Sequence, residues 1–177
     1  SVIINYKTSS VKKKLSNLIL FIDEKFNISS LKKHLSNSEY SFISDLIKTK
    51  DLKKKILSFD ISSKRKIILV SIKKNTKNSD IENLGAKFYD LFKDLKQNEY
   101  NLNSDSLSNN LRNFIGYFLH GLKLKSYKFE KYKTKTSKKK ITITVIGKKL
   151  PSIQDQIKFK SIEEGTFYTR DLVSEPG

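Results

Sequence analysis

The sequence contains no cysteine, and this absence excludes several kinds of site at once. Disulfide bonds, thiolate metal ligands and cysteine nucleophiles all need the missing sulfur atom. A chain without cysteine fits a reducing compartment, and the amino-terminal residues show no basic flank ahead of an apolar core that would form a secretory signal. We therefore expect the protein in the cytoplasm.

Long apolar runs are also missing. The longest run, Leu18–Ile22, is far shorter than the roughly 20 apolar residues that a helix needs to cross a bilayer. Proline is scarce, with only two residues, and no Pro-rich or Gly-rich linker divides the chain. We therefore predict a soluble protein with no membrane partner.

Glycine and histidine are too few and too scattered to form the sites that they commonly build. The six glycines never occur as G-x-G, which excludes a glycine-rich cradle for a nucleotide phosphate. Neither His34 nor His120 has a second histidine or a carboxylate three or four residues later, the spacing of a helical metal pair. Glu163 and Glu164 are adjacent, so on a helix they point in different directions and make poor acid–base partners. We predict no catalytic, cofactor-binding or metal-binding residue in this chain.

Lysine is what the sequence has in excess. The chain carries 36 basic residues against 18 acidic ones, a net charge of +18, and all but three of the basic residues are lysines. Such an excess attracts the phosphates of nucleic acids and membranes. Arginine, which usually reads phosphate or guanine with two hydrogen bonds, is scarce. A general bias toward lysine at solvated positions therefore explains the charge better than a nucleic-acid footprint does.

Five stretches have the hydrophobic patterns of β-strands. Val2–Tyr6 is short and apolar, and Lys55–Ile61 has the pattern of an edge or half-buried strand. Leu18–Ile22 and Ile67–Val70 are continuous apolar runs, which are typical of strands covered on both faces. Ile141–Ile146 alternates isoleucine or valine with threonine before it ends, which predicts a further strand.

Helices are predicted between these strands. Tyr40–Ile47 places four apolar residues on one helical face: Phe42, Ile43, Leu46 and Ile47. Ser79 and Glu82 form a capping-box pattern at the start of the clearest helix. Its apolar stripe contains Ile81, Leu84, Phe88, Leu91, Phe92 and Leu95. Gly85 lies within this stripe, where we expect it to allow a close approach to the sheet.

The second half of the chain contains two further helical patterns. Residues 101–110 are rich in turn-forming residues, and the stripe that follows contains Leu111, Phe114, Ile115, Phe118, Leu119 and Leu122. A last helix is predicted over Gln154–Val173. Strands that alternate with helices, two of them wholly apolar, predict an α/β fold with three layers, α/β/α.

The basic segment Ser126–Lys140 contains three aromatic residues among its lysines: Tyr127, Phe129 and Tyr132. Aromatic rings can stack on bases while lysines neutralise phosphates. The candidate nucleic-acid contacts are Lys125, Tyr127, Lys128, Lys131, Tyr132, Lys133, Lys135, Lys138, Lys139 and Lys140. The competing interpretation is a solvated hairpin whose aromatic rings pack inward.

Two stretches have the form of motifs that occur together in one known family. In residues 118–135, a G-x-x-L helix runs into Y-x-F-x-x-Y-K, with the defining positions Gly121, Leu124, Tyr127, Phe129, Tyr132 and Lys133. Residues 163–177, EEGTFYTRDLVSEPG, contain a second pattern at Gly165, Arg170, Asp171, Leu172 and Pro176. In this order they resemble the leucyl (cytosol) aminopeptidases, whose domain junction reads E-G-x-x-x-A-R-D-L-x-N-x-P. Thr169 and Ser174 depart from the usual alanine and asparagine.

The resemblance implies the N-terminal domain of a metallopeptidase, a protease and hydrolase that releases N-terminal amino acids from peptides. It implies a macro-domain-like mixed sheet flanked by helices, and a separate C-terminal catalytic domain that holds two divalent metals, zinc or manganese. We then expect residues 1–152 to be the accessory domain, and residues 153–177 the inter-domain helix and the start of the absent catalytic domain. The family forms a homo-hexamer, so the domain is expected to support assembly and access to the catalytic domain.

Two alternatives remain beside the aminopeptidase interpretation. One is a basic nucleic-acid-binding module that uses Ser126–Lys140. The other is macro-domain-like binding of ADP-ribose, against which the lack of a glycine-rich loop argues. If the last helix serves a second domain, we expect it to pack less completely than the two amphipathic helices before it.

Overall fold

The computed structural model describes residues 1–8, 16–92, 95–108, 113–128 and 139–175. Several residues singled out by the sequence lie outside these ranges, namely Leu111, Phe129, Lys131, Tyr132, Lys133, Lys135, Lys138, Pro176 and Gly177. Within the described ranges, no helix combines the length and the apolar composition that crossing a membrane requires.

One mixed sheet organises the described residues. Its strands are β1 (Val2–Lys7), β2 (Asn17–Asp23), β3 (Ile56–Ser62), β4 (Arg65–Ile72), β5 (Glu99–Asn103) and β6 (Ile141–Ile146). The order across the sheet is β1-β6-β5-β2-β4-β3, and β3 is antiparallel to β4 while the other pairs are parallel. The five predicted strands are confirmed, and β3 lies at an edge as its half-buried pattern indicated.

Helices cover the sheet and form connections between its strands. They are α1 (Asn37–Ile47), α2 (Asn78–Phe92), α3 (Phe114–Lys125) and α4 (Ile153–Ser174), with short 3-10 segments at Ile28–His34 and Ser104–Ser106. The long parallel crossovers between strands need such helices, because a parallel neighbour cannot be reached by a tight turn. The helices predicted at residues 40–47 and 154–173 are confirmed, with ends that differ by at most three residues.

β2 shows how the three layers form. Ile19 and Phe21 point into the core beneath α2 and α3, whereas Leu20 and Ile22 point into the core beneath α1. Ile43 of α1 is fully buried in this second core. Because neighbouring residues of a strand face opposite sides, a continuous apolar run requires cover on both faces. The three-layer α/β/α arrangement is confirmed.

Two glycines allow α2 and α3 to approach closely. An ideal Cβ placed on Gly85 would lie 1.9 Å from the carbonyl oxygen of Phe118, and one on Gly121 would lie 1.9 Å from that of Glu82. The prediction that Gly85 faces the sheet is therefore wrong, because its close contact is with the backbone of the neighbouring helix. Each glycine removes the side chain that would otherwise separate the two helix backbones.

The turn-rich interpretation of residues 101–110 is wrong for their first part, which belongs to the interior strand β5. Tyr100 and Leu102 are buried in the core, while Asn101 points to the other face of the sheet. The side-chain amide of Asn101 donates to the hydroxyl of Ser16 over 2.6 Å. Pairing with two neighbouring strands outweighs the turn preference of these asparagines.

The capping box predicted at Ser79 is also wrong. α2 begins at Asn78, and the backbone N–H of Ile81 donates to the carbonyl of Lys77 over 3.1 Å. Ser79 is therefore the second residue of the helix, and its hydroxyl is not at the position that caps the first turn.

A capping box precedes α1 instead. The Ser36 hydroxyl accepts from the backbone N–H of Glu39 over 3.2 Å, and the Glu39 carboxylate accepts from the N–H of Ser36 over 3.1 Å. On the same helix, Ile43 is buried as predicted, but Phe42 is exposed because it lies next to the buried face and not within it.

Candidate functional site

The described residues of the basic segment have different environments. Lys139 donates from Nζ to the carbonyl of Phe92 over 2.9 Å and also to that of Leu95, so it holds the end of α2. Because this ammonium group already donates to two backbone carbonyls, its first role is to stabilise the fold. Lys128 and Lys140 are exposed, and the remaining predicted contacts in residues 131–138 lie outside the described residues.

α4 is held against α3 by a buried polar pair and an aromatic ring. His120 Nδ1 lies 2.9 Å from Glu163 Oε1, and both side chains are buried. The Phe159 ring packs beside the His120 ring with 4.9 Å between their centroids, and it covers Gly116, where an added Cβ would lie 2.6 Å from the ring. Glu164 points instead to solvent, which confirms that the two adjacent carboxylates face different directions.

The two motif stretches meet at the end of α3. The Tyr127 hydroxyl donates to Asp171 Oδ1 over 2.8 Å, and its ring lies 5.4 Å from that of Phe167. Arg170 donates to the carbonyl of Leu124 over 2.8 Å, and its guanidinium group lies 5.4 Å from the Tyr127 ring centroid. An arginine on the last carbonyls of a helix satisfies acceptors that have no partner within the helix. The R-D pair of the second motif therefore anchors α4 within this domain.

The outward side of α4 is unusually apolar for a solvent-facing helix surface. Its exposed side chains include Ile153, Ile157, Ile162, Tyr168, Leu172 and Val173, of which Val173 is 81% exposed. In contrast, Phe159 and Glu163 are its only buried residues among those described. The expectation that this helix packs less completely than α2 and α3 is confirmed. Exposed apolar patches of this kind mark surfaces that contact another protein or domain.

A groove separates α4 from β1. It has a volume of about 480 Å³ and is lined on the sheet side by Ile4 and Tyr6. Phe159 and Phe167 supply apolar walls from α4, and Lys160 lies at its rim. The groove thus combines an apolar interior with a polar rim, the usual character of a binding surface.

Tyrosine burial gives the fold a predicted sensitivity to alkali. Burial raises the pKa of Tyr100 to about 12, and burial with the nearby Glu163 carboxylate raises the pKa of Tyr6 to about 12. Between pH 10 and pH 12 the unfolded chain therefore loses phenol protons that the folded chain keeps, so folding stability falls as the pH rises. We expect a loss of roughly 2–3 kcal/mol, discounted for the partial exposure of Tyr6.

Urea unfolding at pH 9, 10, 11 and 12 measures this loss. Tyr100→Phe removes one of the two phenols and should make the decline with pH shallower, although lysine deprotonation acts equally on both proteins. An unchanged slope in Tyr100→Phe would contradict the assignment.

A second cavity lies at the topological switch point of the sheet, where the connections that follow two neighbouring strands leave toward opposite faces. The crossover after β2 passes through the α1 layer and that after β4 through the opposite α2 layer, so a crevice forms between their carboxyl ends. This cavity has a volume of about 420 Å³ and is lined in part by Asp23, Lys25 and Lys74. The Asp23 carboxylate accepts from the backbone N–H groups of Lys25 and Asn27, over 3.1 and 3.0 Å. Asp23 is thus committed to shaping the loop.

The described residues do not fit the metals that the aminopeptidase resemblance implies. In the ranges that the structure covers, no three His, Cys, Asp or Glu side chains group together in a way that could hold a metal ion. Glu163, the buried carboxylate, is already paired with His120. No chemical step through a metal can therefore be assigned to these residues.

Comparison with known proteins relates this fold to peptidases. No protein-family model and no curated protein matches the chain by sequence. Among solved structures, a mutant of tomato leucine aminopeptidase has a TM-score of 0.68 at 14% identity, over 99% of this chain. The cytosol aminopeptidase of Coxiella burnetii has a TM-score of 0.59 at 18% identity, over 97%. The macrodomain of Thermus aquaticus DarG has a TM-score of 0.53 at 9% identity, over 84%.

The matches differ in the share of each known structure that this chain covers. The chain spans 39% of the tomato enzyme and 33% of the Coxiella enzyme, but the DarG macrodomain is covered over 100% of its length. The similarity is thus to one part of each aminopeptidase and to a whole macrodomain. Because the sequence identities of these matches are low, the similarity concerns the fold alone. The chain has the macro-domain-like fold of the N-terminal domain of leucine aminopeptidases.

Proposed function

We propose that the chain is the non-catalytic N-terminal domain of a leucine aminopeptidase, an enzyme that releases N-terminal amino acids from peptides. Residues 1–152 form the accessory domain, and residues 153–177 form the inter-domain helix and the beginning of the catalytic domain. In this role the domain supports assembly of the enzyme and shapes access to its active site. We infer that α4 orients the catalytic domain.

The two-sided character of α4 carries this proposal. Its inner side is fixed to α3 by the His120–Glu163 pair and by the contacts of Arg170 and Asp171. Its outer side leaves large apolar residues in solvent, among them Ile157 and Leu172. A helix that is fixed on one side and apolar on the other can transmit a defined orientation to a domain that covers the apolar side.

The remaining features of the enzyme follow from the same proposal. The two divalent metals, zinc or manganese, would be held by the catalytic domain, since the described residues here offer no ligand cluster. One solved relative in fold, the bottromycin maturation enzyme BotP, is known in complex with Mn at 10% identity and a TM-score of 0.60. We further propose that the full enzyme is a cytoplasmic homo-hexamer.

Hydrolysis of a leucyl anilide with added Mn²⁺ tests the proposal. The chain of residues 1–177 should give no turnover above the protein-free rate, whereas a longer protein that joins this chain to the proposed catalytic domain should hydrolyse the substrate. Turnover by the 177-residue chain would refute the non-catalytic role. A longer protein of this kind without peptidase activity would refute the aminopeptidase assignment.

Nucleic-acid binding through Ser126–Lys140 is the second candidate function, and the net charge of +18 favours it. The exposed Lys128 and Lys140 and the exposed Lys125, which lies 3.9 Å from Asp90, are the described side chains that could reach phosphates. Such binding should weaken steeply as salt rises, because each phosphate contact releases condensed counterions. A mobility-shift assay that shows no complex even at low salt would remove this function.

A further inference from the structure

β1 is an edge strand whose outer side is open for pairing. Among the described strands it pairs only with β6, in parallel. The backbone N–H of Ile141 donates to the carbonyl of Ser1, and that of Gly147 donates to the carbonyl of Lys7. Hydrogen-bonding residues alternate along a parallel strand, so the odd-numbered residues of β1 serve β6. The even-numbered residues therefore direct their backbone groups away from the sheet.

One of these outward groups already has a partner. Lys123 on α3 donates from Nζ to the carbonyl of Val2 over 2.8 Å. Among the described residues, none donates to or accepts from the outward backbone groups of Ile4 and Tyr6. These groups lie in the middle of the edge, beside the groove. Unpaired strand edges are templates for a further strand, and natural sheets commonly block them with bulges, prolines or inward charges. β1 has no bulge and no proline, and its one charged residue, Lys7, lies at its end.

The groove supplies the side-chain contacts that an added strand would need. A strand beside β1 would lie about 4.8 Å from it and would turn every second side chain toward α3 and α4. Leu119, Phe159 and Phe167 line that side of the groove with apolar surface. The opposite side chains of the added strand would face solvent. A strand edge beside a helix is the arrangement by which several peptide-binding domains take up an extended segment.

The charges at the groove and the net charge of the chain indicate which kind of peptide segment binds there. Lys123 gives its ammonium group to a neutral carbonyl, and Lys160 is paired with Glu164 only through an exposed contact of 3.8 Å. Exposed pairs of this kind bind weakly. Two carboxylates also line the groove: Glu163 is paired with the buried His120, and Glu164 is the partner of Lys160, so the attraction for acidic residues comes mainly from the charge of the whole chain. The net charge of +18 repels a second copy of this chain and attracts an acidic partner.

We infer that the outer edge of β1 binds an extended acidic peptide segment as an added strand, with alternate apolar side chains in the groove between β1 and α4. The backbone groups of Ile4 and Tyr6 supply the hydrogen bonds. The apolar walls of the groove favour a peptide in which every second side chain is apolar. Lys123 and Lys160 favour acidic residues at the rim. This binding is a property of the chain itself, whether or not α4 leads into a catalytic domain.

Amide exchange measured by NMR tests the inference. The probe is a fluorescein-labelled octapeptide, capped at both ends, in which Asp or Glu alternates with Val or Ile. At saturation, the Ile4 and Tyr6 amides should exchange at least about tenfold more slowly, because each then donates to the peptide. The amides of Ile3 and Asn5, which face β6, should be unchanged. A peptide of the same composition with its apolar residues in one block should bind at least tenfold more weakly.

Variants separate strand addition from general attraction between charges. Ile4→Pro removes one outward N–H, at an edge position where proline is tolerated, and should weaken peptide binding about tenfold. Lys160→Glu should weaken binding about fivefold, while the matched change Lys158→Glu, on the same helix but away from the groove, should change it less than twofold. Circular dichroism melting of each variant confirms that it is folded before it is compared.

Several results would overturn the inference. Equal weakening by Lys160→Glu and Lys158→Glu would show diffuse electrostatic binding. Protection of other amides without Ile4 and Tyr6 would place the peptide elsewhere. Protection of these two amides without peptide, together with a dimer in sedimentation velocity, would assign the edge to a second copy of the chain. Absence of binding at low salt would leave the edge without this ligand.

Discussion

Gly121→Ala is expected to destabilise the protein by about 3–5 kcal/mol or to prevent folding. The new methyl group would lie 1.9 Å from the carbonyl oxygen and 2.6 Å from the carbonyl carbon of Glu82. Because the obstacle is backbone, it cannot be relieved by a change of side-chain rotamer. α2 and α3 would have to separate, and the packing of Phe88 against Phe118, whose ring centroids lie 5.4 Å apart, would loosen.

The glycines of this chain supply their own graded controls. Gly85→Ala should be as damaging as Gly121→Ala, since its methyl group meets the Phe118 carbonyl oxygen at 1.9 Å. Gly116→Ala meets only the ring of Phe159 at 2.6 Å and should cost less, about 1–2 kcal/mol. Gly165→Ala meets nothing within 4 Å on an exposed helix and should stabilise by up to about 1 kcal/mol.

Urea unfolding followed by circular dichroism at 222 nm measures this series. The close helix crossing predicts that Gly85 and Gly121 stand apart from the other two positions. A Gly121→Ala protein whose unfolding midpoint matches that of Gly165→Ala would show that α2 and α3 do not cross at these glycines.

Glu163→Ala should release α4 from α3. The substitution leaves His120 Nδ1 buried without its partner 2.9 Å away, and the loss of one member of a buried pair typically costs about 3 kcal/mol. α4 has few other buried contacts, so we expect the helix to open separately from the rest of the domain. The effect should therefore appear as faster amide exchange across α4, with a smaller change for the strands.

Two further substitutions serve as controls for this prediction. Glu163→Gln keeps an oxygen that can accept the His120 N–H and should cost about 1 kcal/mol. Glu164→Ala removes a carboxylate whose contact with Lys160 is exposed, and it should change stability by less than about 0.5 kcal/mol. If Glu163→Ala and Glu164→Ala have equal effects on exchange in α4, the buried pair does not hold this helix.

The sheet was predictable where both faces of a strand are buried. β2 and β4 are interior strands covered on both faces, so their apolar runs are long enough to recognise without knowledge of their neighbours. β5 was not predicted because only Tyr100 and Leu102 face a core, and its two asparagines, Asn101 and Asn103, have a local preference for turns. That preference is overridden by pairing with β2 and β6, strands that come from distant parts of the chain.

The α3–α4 junction was beyond the reach of local patterns. A lone histidine with no carboxylate nearby in sequence gave no sign of a pair, because His120 and Glu163 are 43 residues apart. The same holds for Tyr127 and Asp171, which the family motifs identified separately but did not bring together. One signal was present: Phe159, Glu163 and Phe167 recur every four residues, which defines one face of a helix that must contact something.

α4 is fixed on its inner side, and we propose that its outer side receives another domain. Because residues 1–177 contain no cysteine, a single engineered cysteine is the only thiol in this part of the protein. Leu172→Cys lies on the exposed apolar side of α4, and Ser38→Cys lies at an exposed position of α1. Maleimide labelling of each variant measures how accessible these positions are.

Both cysteines should react rapidly in the chain of residues 1–177. In a longer protein that joins this chain to the proposed catalytic domain, labelling of Leu172→Cys should slow at least about tenfold while that of Ser38→Cys stays the same, because burial blocks access of the reagent to the thiol. Equal labelling of Leu172→Cys in the shorter and the longer protein would contradict the claim that this face of α4 receives a second domain.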